Sequence, residues 1–286
     1  MPTAFISPSD DLSFIETTAL TVAHYRGLED ARPDRLFTDP LAAAFVEAAG
    51  EAGGAARLLP AGPPDYFSVR TRFFDDYVTK ACNVGCRQVV ILAAGLDARA
   101  FRLPFPPGVR LFEVELGAML RFKEDVLTSK RARARCDRIV VPVDLREDWP
   151  SALAKAGFHD GPTAWLVEGL LFYLTRSDCE CLLRRMTRLS TAGSWLGIEH
   201  VNQAVYEAVS ATVASLAEKG APWLSSIEEP GAWLEELGWK ATVCDQAELA
   251  TRHGRTIGFP AAAGNPKAWL IEASVIEASV IEETRG

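Results

Sequence analysis

The run Gln88-Val-Val-Ile-Leu-Ala-Ala-Gly-Leu-Asp-Ala-Arg99 constrains this chain more than any other. Six consecutive apolar residues, Val89 to Ala94, read as a strand buried on both faces, as in a parallel sheet covered by helices. Gly95 ends the run, and without a Cβ it lets the backbone turn sharply and approach a ligand. Asp97, two positions on, is placed to cap a helix. Together these make the first β-turn-α of a nucleotide-type fold, with one glycine where a dinucleotide fingerprint has three. Such a turn lacks the repeated close approach that a pyrophosphate needs. It suits a smaller cofactor without phosphates, and S-adenosylmethionine is the leading candidate.

Size and charge narrow the choice. A chain of 286 residues with 48% hydrophobic content buries roughly three quarters of its unfolded surface, and the length suits one large α/β domain with additions. The net charge of −8 and a pI near 5.2 argue against nucleic acid as a partner, because phosphate binding draws on clustered cations. Arg131, Arg133, Arg135 and Arg138 form a basic run that reads as a solvated surface. Six cysteines (82, 86, 136, 179, 181, 244) contain no CxxC pair, and the four histidines are scattered, so no metal site is expected and the thiols read as reduced. No basic leader and no apolar run of about 18 residues is present, so a cytoplasmic protein without a membrane partner is expected.

A helical pattern from Glu16 to Gly50, broken at Arg32-Pro33-Asp34 and at Asp39-Pro40, follows a loose arm at 1–15. Gly50 to Pro64 is rich in glycine and proline and reads as a loop or lid. Apolar and aromatic residues at 69, 73, 74, 77, 78 and 81 have helical spacing. Strands are then expected at 88–94, 109–114, 138–143, 163–167, 194–199, 239–244 and 268–275. Helices are expected at 118–127, 147–156, 177–189 (capped by Thr175), 203–219 and 229–237. The expected fold is a doubly wound, seven-stranded, Rossmann-like α/β sheet with N-terminal helical additions. Its parts are a helical cap or lid at 1–82, the cofactor-binding sheet at 83–275, and an extension at 276–286, where Ile271-Glu-Ala-Ser-Val is repeated.

In open α/β sheets, ligands lie beyond the carboxyl ends of the strands. Gly95, the pair Glu113 and Glu115, Asp144 and Glu168 fall there in order. A carboxylate ending the second strand accepts both ribose hydroxyls. An aspartate ending the third accepts the adenine amine while the next backbone N–H, that of Leu145, donates to the ring. Trp149 is expected to shield the base.

The segments Arg70-Thr-Arg-Phe-Phe-Asp-Asp76, Leu92-Ala-Ala-Gly-Leu-Asp-Ala-Arg-Ala-Phe-Arg-Leu103, Phe112-Glu-Val-Glu115, Val143-Asp-Leu-Arg146 and Glu168-Gly-Leu-Leu-Phe-Tyr-Leu174 resemble the leucine carboxyl methyltransferase family. Arg32-Pro-Asp-Arg-Leu-Phe-Thr-Asp-Pro40 is similar to its bacterial branch, which is abundant in actinobacteria and includes enzymes that methylate polyketide carboxyl groups. The resemblance implies that Arg70 pairs with the cofactor's methionine carboxylate, Gly95 lies against that moiety, Glu115 holds the ribose, Asp144 and Leu145 read adenine, and Glu168 sits near the methionine end. Arg26 is a further anchor candidate. The family usually has aspartate in place of Glu115 and often proline in place of Gly117, so the longer carboxylate must tilt or the ribose must shift. Glu113 is expected to turn to the opposite side of the strand from the ribose.

The expected function is methyl transfer from S-adenosyl-L-methionine to a carboxylate or hydroxyl of a small secondary metabolite such as a polyketide. A carboxylate acceptor is ionised at neutral pH and needs no base; a phenol, with pKa about 10, needs one. His200 is the candidate base, with His24 behind it, and Tyr173 is a candidate to position the acceptor oxygen. The alternative is an S-adenosylmethionine-binding sensor or scaffold without methyl transfer. A homodimer is compatible with either.

Overall fold

The computed structural model describes residues 14–50, 64–218, 221–259 and 264–276. Residues 1–13 of the expected arm, most of the expected loop at 50–64 and nearly all of the C-terminal extension therefore lie outside the described residues, while 14 and 15 already belong to a helix. Seven strands form one sheet: β1 (Gln88–Leu92), β2 (Arg110–Glu115), β3 (Asp137–Pro142), β4 (Thr163–Val167), β5 (Trp195–Val201), β6 (Trp239–Asp245) and β7 (Ala268–Val275). Their order is β3-β2-β1-β4-β5-β7-β6. The first five run parallel, whereas β7 runs antiparallel between β5 and β6. The order runs outward from β1 in both directions, which puts the strand reversal between β1 and β4, where a ligand crevice belongs.

The helices are α1 (Phe14–Asp30), α2 (Ala42–Ala48), α3 (Pro64–Asn83), α4 (Arg99–Arg102), α5 (Gly117–Ser129), α6 (Trp149–Lys155), α7 (Arg176–Arg188), α8 (Gln203–Ala208), α9 (Ser210–Glu218), α10 (Pro230–Glu236) and α11 (Gln246–Arg252). One sheet face packs on α3, where Phe74, Tyr77 and Val78 meet Val89, Ile91 and Leu166. The other packs on α6, α7 and α10, where Trp149, Leu183 and Trp233 meet Val90, Phe112 and Trp165. The alternation of odd and even residues between these two cores is the period of two that a strand imposes. Tyr77 reaches under β5, where a Cβ at Gly197 would lie 2.6 Å from its ring, and its hydroxyl donates to the Trp165 carbonyl at 2.8 Å. Gly197 is thus the residue that lets α3 close on the sheet.

Three local expectations change. The first strand stops at Leu92, because Ala93 adopts φ +52° and Gly95 φ +46°, and the helix after them is a single turn. The stretch 203–219 breaks into α8 and α9. Helix α11 was not expected: Asp245 both ends β6 and caps α11, accepting from the Ala247 N–H at 2.9 Å. Thr175 caps α7 as expected, its hydroxyl accepting from the Asp178 N–H at 3.2 Å. No helix among the described residues is long and apolar enough to cross a membrane, and all six cysteines are free thiols.

Candidate functional site

A cavity of about 870 Å³ opens at the carboxyl ends of β1, β2, β3 and β4. Arg70, Gly95, Glu115, Asp144, Leu145, Glu168 and Tyr173 all line it, so seven of the eight expected site residues meet in one place. His200 does not.

At the first turn, the Glu115 carboxylate does two things. Its Oε2 accepts from the Gly95 N–H and its Oε1 from the Leu116 N–H, both at 2.7 Å. A carboxylate oxygen can accept from more than one donor, a ribose hydroxyl among them. Glu113 does not turn to the opposite side, as expected from alternation. Residues two apart share a strand face. It is withdrawn because it sits one pleat lower, fully buried, where Lys123 Nζ (2.7 Å) and Arg138 Nε (2.9 Å) take its carboxylate.

Gly95 meets the cap as well as the cavity: a Cβ there would lie 3.4 Å from Ala19 of α1. Arg26, also on α1, donates from Nη2 to the Leu96 carbonyl at 2.6 Å and pairs through Nε with Asp39 at 2.9 Å. Helix α1 thus lies directly across the turn. Ala93, beside it, holds a left-handed conformation that costs a non-glycine residue roughly 1–2 kcal/mol.

At the third strand end, Asp144 accepts from the Arg146 N–H at 2.9 Å and from its Nε at 3.0 Å. That hydrogen bonding holds its carboxyl below the usual range. Leu145 lines the same cleft, and its N–H makes no hydrogen bond to a described residue. Trp149 does not shield this corner. It is fully buried in the core, edge-on to Trp165 at 6.2 Å, and Leu116, Met119 and Val143 flank the cleft instead.

Along the cavity floor runs a row of ions of alternating sign; sequence reading named Arg26, Arg70 and Glu168 but missed the row that joins them. Arg26 meets Asp39 (2.9 Å), Asp39 meets Arg102 (3.9 Å), and Arg102 meets Asp75 (2.6 Å). Asp75 meets Arg99 (2.8 Å), and Arg99 meets Glu168 (2.8 Å). Glu168 meets Arg70 (2.9 Å), and Arg70 meets Glu199 (2.9 Å). Asp97 branches from Arg99. Burial alone would raise the Glu168 carboxyl, but Arg99 and Arg70 outweigh it and hold the carboxyl below its usual value. Arg70 spends Nε and Nη1 on this row. Its guanidinium also lies beside the Tyr66 phenol and lines the cavity, where Nη2, which neither Glu168 nor Glu199 takes, is the donor nitrogen left for an anion.

The end away from the charged turn is apolar and aromatic, with Phe67, Phe172, Val205, Val209, Trp223 and Phe259 among its walls. Phe172 and Trp223 lie 4.5 Å apart between ring centres. Tyr173 faces Thr18 and Trp223, and burial pushes its phenol above the usual value. His200 points the other way from Glu199, into the opposite core. Its Nδ1 accepts from the Val201 N–H at 2.9 Å, its Nε2 is 3.3 Å from Ser225 Oγ, and its ring packs on Trp233. Burial pulls it down to about 4. It is a neutral core histidine, not a base in the cavity. His24 does not line the cavity either; it packs beside Tyr25.

A family model described as leucine carboxyl methyltransferase matches residues 19–187. A Parafrankia protein, provisionally named an S-adenosyl-L-methionine-dependent methyltransferase, is 45% identical over 84% of this chain and 81% of its own length. Relatives with the same provisional name from Frankia alni (44%, covering 87% and 90%) and Streptomyces coelicolor (45%, covering 85% and 89%) are similar. Among solved structures, a DUF574 family protein of Streptomyces avermitilis shares the fold with TM-score 0.58 at 18% identity, covering 90% of this chain and 96% of that one. A provisionally named methyltransferase of Thermobifida fusca gives 0.59 at 16%, covering 82% and 92%.

Proposed function

The chain belongs to the leucine carboxyl methyltransferase family, and from that premise we propose that it transfers a methyl group to a carboxylate oxygen of a small, largely apolar metabolite. It is an S-adenosyl-L-methionine-dependent methyltransferase. The carboxylate acceptor is our reading, and one observation carries it. Among the described residues, every titratable side chain facing the cavity either is ion-paired, serves the charged turn, or is a phenol that burial keeps neutral. None of these described residues stands ready as a base for a hydroxyl. An acceptor that arrives ionised needs none.

Bound, the cofactor supplies a methyl group made electrophilic by a sulfonium. We assign its carboxylate to Arg70 Nη2, its ribose to Glu115, and its adenine to Asp144 and the Leu145 N–H, with Gly95 against the methionine chain and Glu168 fixing Arg70. The aromatic walls strip water from the acceptor and hold it in line, which is most of what such a displacement requires. We assign to Tyr173, which lines the cavity, the donor to the acceptor's second oxygen. Secondary metabolism, with polyketide acids as one class, suits a chamber of this lining.

The test is incubation with methyl-labelled cofactor and a panel of apolar acids and phenols. Label on an acid, released as methanol by mild alkali, is the expected result. An alkali-stable product would move the acceptor to a hydroxyl. Binding of S-adenosylhomocysteine with every acceptor left unmodified would favour the sensor or scaffold reading.

A further inference from the structure

Glu199 is the end of the buried row, and it differs from the carboxylate beside it. Glu168 has an arginine for each oxygen: Arg70 Nε on Oε1 and Arg99 Nη1 on Oε2. Glu199 has one. Its Oε1 takes Arg70 Nη1 at 2.9 Å, while Oε2 is sealed from solvent without a partner. Facing the carboxyl are Arg70 and Tyr66 from α3, Glu168 and the Gly169 N–H from the end of β4, and Tyr173 from the turn after it. Leu270 lies across from it on β7. Arg70 is the one cation in that set, and Glu168 already shares it.

A cofactor carboxylate on Arg70 Nη2 would be the third anion on one guanidinium in a water-poor site. Like charges this close raise each other's proton affinity. Glu168 cannot relieve the crowding, because both of its oxygens accept from arginines. Oε2 of Glu199 can take a proton while Oε1 goes on accepting from Arg70. The path is short: Gly169 lines the cavity, and a Cβ built on it would lie 3.8 Å from Glu199 Oε1 and 4.0 Å from Arg70 Nη1, with no side chain between.

We propose that Glu199 is a positioning residue that holds Arg70 for the cofactor's carboxylate and takes up one solvent proton on Oε2 as that carboxylate binds. The proposal rests on the reading of Arg70 given above. No other bond is made or broken. The unliganded protein is already poised for this: burial pushes the Glu199 carboxyl up to about 7, Glu168 adds to the rise, and Arg70 opposes it. A further rise on binding then falls in the neutral range. The sign follows: the protonated form binds the carboxylate better, so affinity falls as pH rises.

Calorimetry on the intact chain tests this with two ligands, S-adenosylhomocysteine and 5′-methylthioadenosine, which lacks the amino-acid carboxylate. Titrations at pH 7.5 in buffers of different ionisation enthalpy count protons. The expected result is uptake of about half a proton with S-adenosylhomocysteine and none with 5′-methylthioadenosine, for a rise of about one pKa unit. S-adenosylhomocysteine affinity should fall up to about tenfold between pH 6 and pH 9, and 5′-methylthioadenosine affinity should stay level. Glu199→Gln should bind S-adenosylhomocysteine with no uptake and a flat pH profile. Tighter binding of S-adenosylhomocysteine without uptake in the wild type, or uptake that persists in Glu199→Gln, overturns the proposal and leaves Arg70 in place. Equal affinity for the two ligands, unchanged by Arg70→Lys, removes the Arg70 reading itself. The comparison of ligands on the wild type needs no variant to fold.

Discussion

Glu115 has more to do than accept a ribose. Its two oxygens fasten the Gly95 and Leu116 amides, so the side chain shapes the turn that the cofactor meets. Glu115→Gln turns one acceptor into a donor facing an N–H, and it should weaken S-adenosylhomocysteine binding by about 1.5–3 kcal/mol. Glu115→Asp keeps both acceptors and should preserve the affinity or improve it. Calorimetry separates the two outcomes, and equal binding by all three proteins would remove Glu115 from the ribose. His200 gives a different signal. Its pKa falls from 6.5 to about 4 on burial, so its stabilising contribution is complete above pH 6.5 and is lost as pH falls toward 4. The lost stability should be about 3 kcal/mol, measured by urea unfolding at a series of pH values; His200→Gln should lack that part of the slope. The sequence pointed to His200 and passed over Glu199 next to it. One residue along a strand exchanges one face for the other, and a chain read without its sheet neighbours does not say which face holds the cleft.

Helix α1 and the first turn form one unit. Gly95 is left-handed, and the Ala19 methyl is within van der Waals reach of any Cβ placed there. Gly95→Ala should cost about 1–2 kcal/mol, chiefly backbone strain. Ala19→Gly in the same chain should restore little, because it makes room without altering φ. Thermal unfolding of the single and double variants checks this; full rescue would make the contact with α1 the dominant cost. Strands and long helices were legible because their apolar periods are local: Thr163–Val167 and Ala268–Val275 fall where the pattern put them. Helix α11 was hidden because Asp245 joins it to β6 with no glycine or proline between. The reversed direction of β7 was hidden too, since a period of two is the same read either way.

Across the whole molecule, the ion row joins α1, α3, α4, β4 and β5. Removing one member leaves a buried neighbour uncompensated. Asp75→Asn, which takes one of the three carboxylates around Arg99 and leaves Arg102 only Asp39 at 3.9 Å, should cost about 3–5 kcal/mol. Adding Arg102→Gln removes one charge of each sign and should cost less than the sum of the two single changes, with a coupling of about 0.5–3 kcal/mol in a denaturant double-mutant cycle. Simple additivity would mean that the row is a set of independent pairs. This row could not be read from sequence. Arg99 stands inside the most informative segment of the chain, yet nothing local distinguishes it from a surface arginine.

The same row sets when the site comes into being. Arg70 finds Glu168 98 residues away and Glu199 129 residues away, so long loops must close before the donor for the cofactor is aimed. Contacts of such high order form late. During refolding, the ability to bind ligand should therefore arrive with the final docking of β5 rather than with the β1 turn that gives the fold away. Weakening the far end of the row should shorten the lifetime of the native state more than it slows its formation.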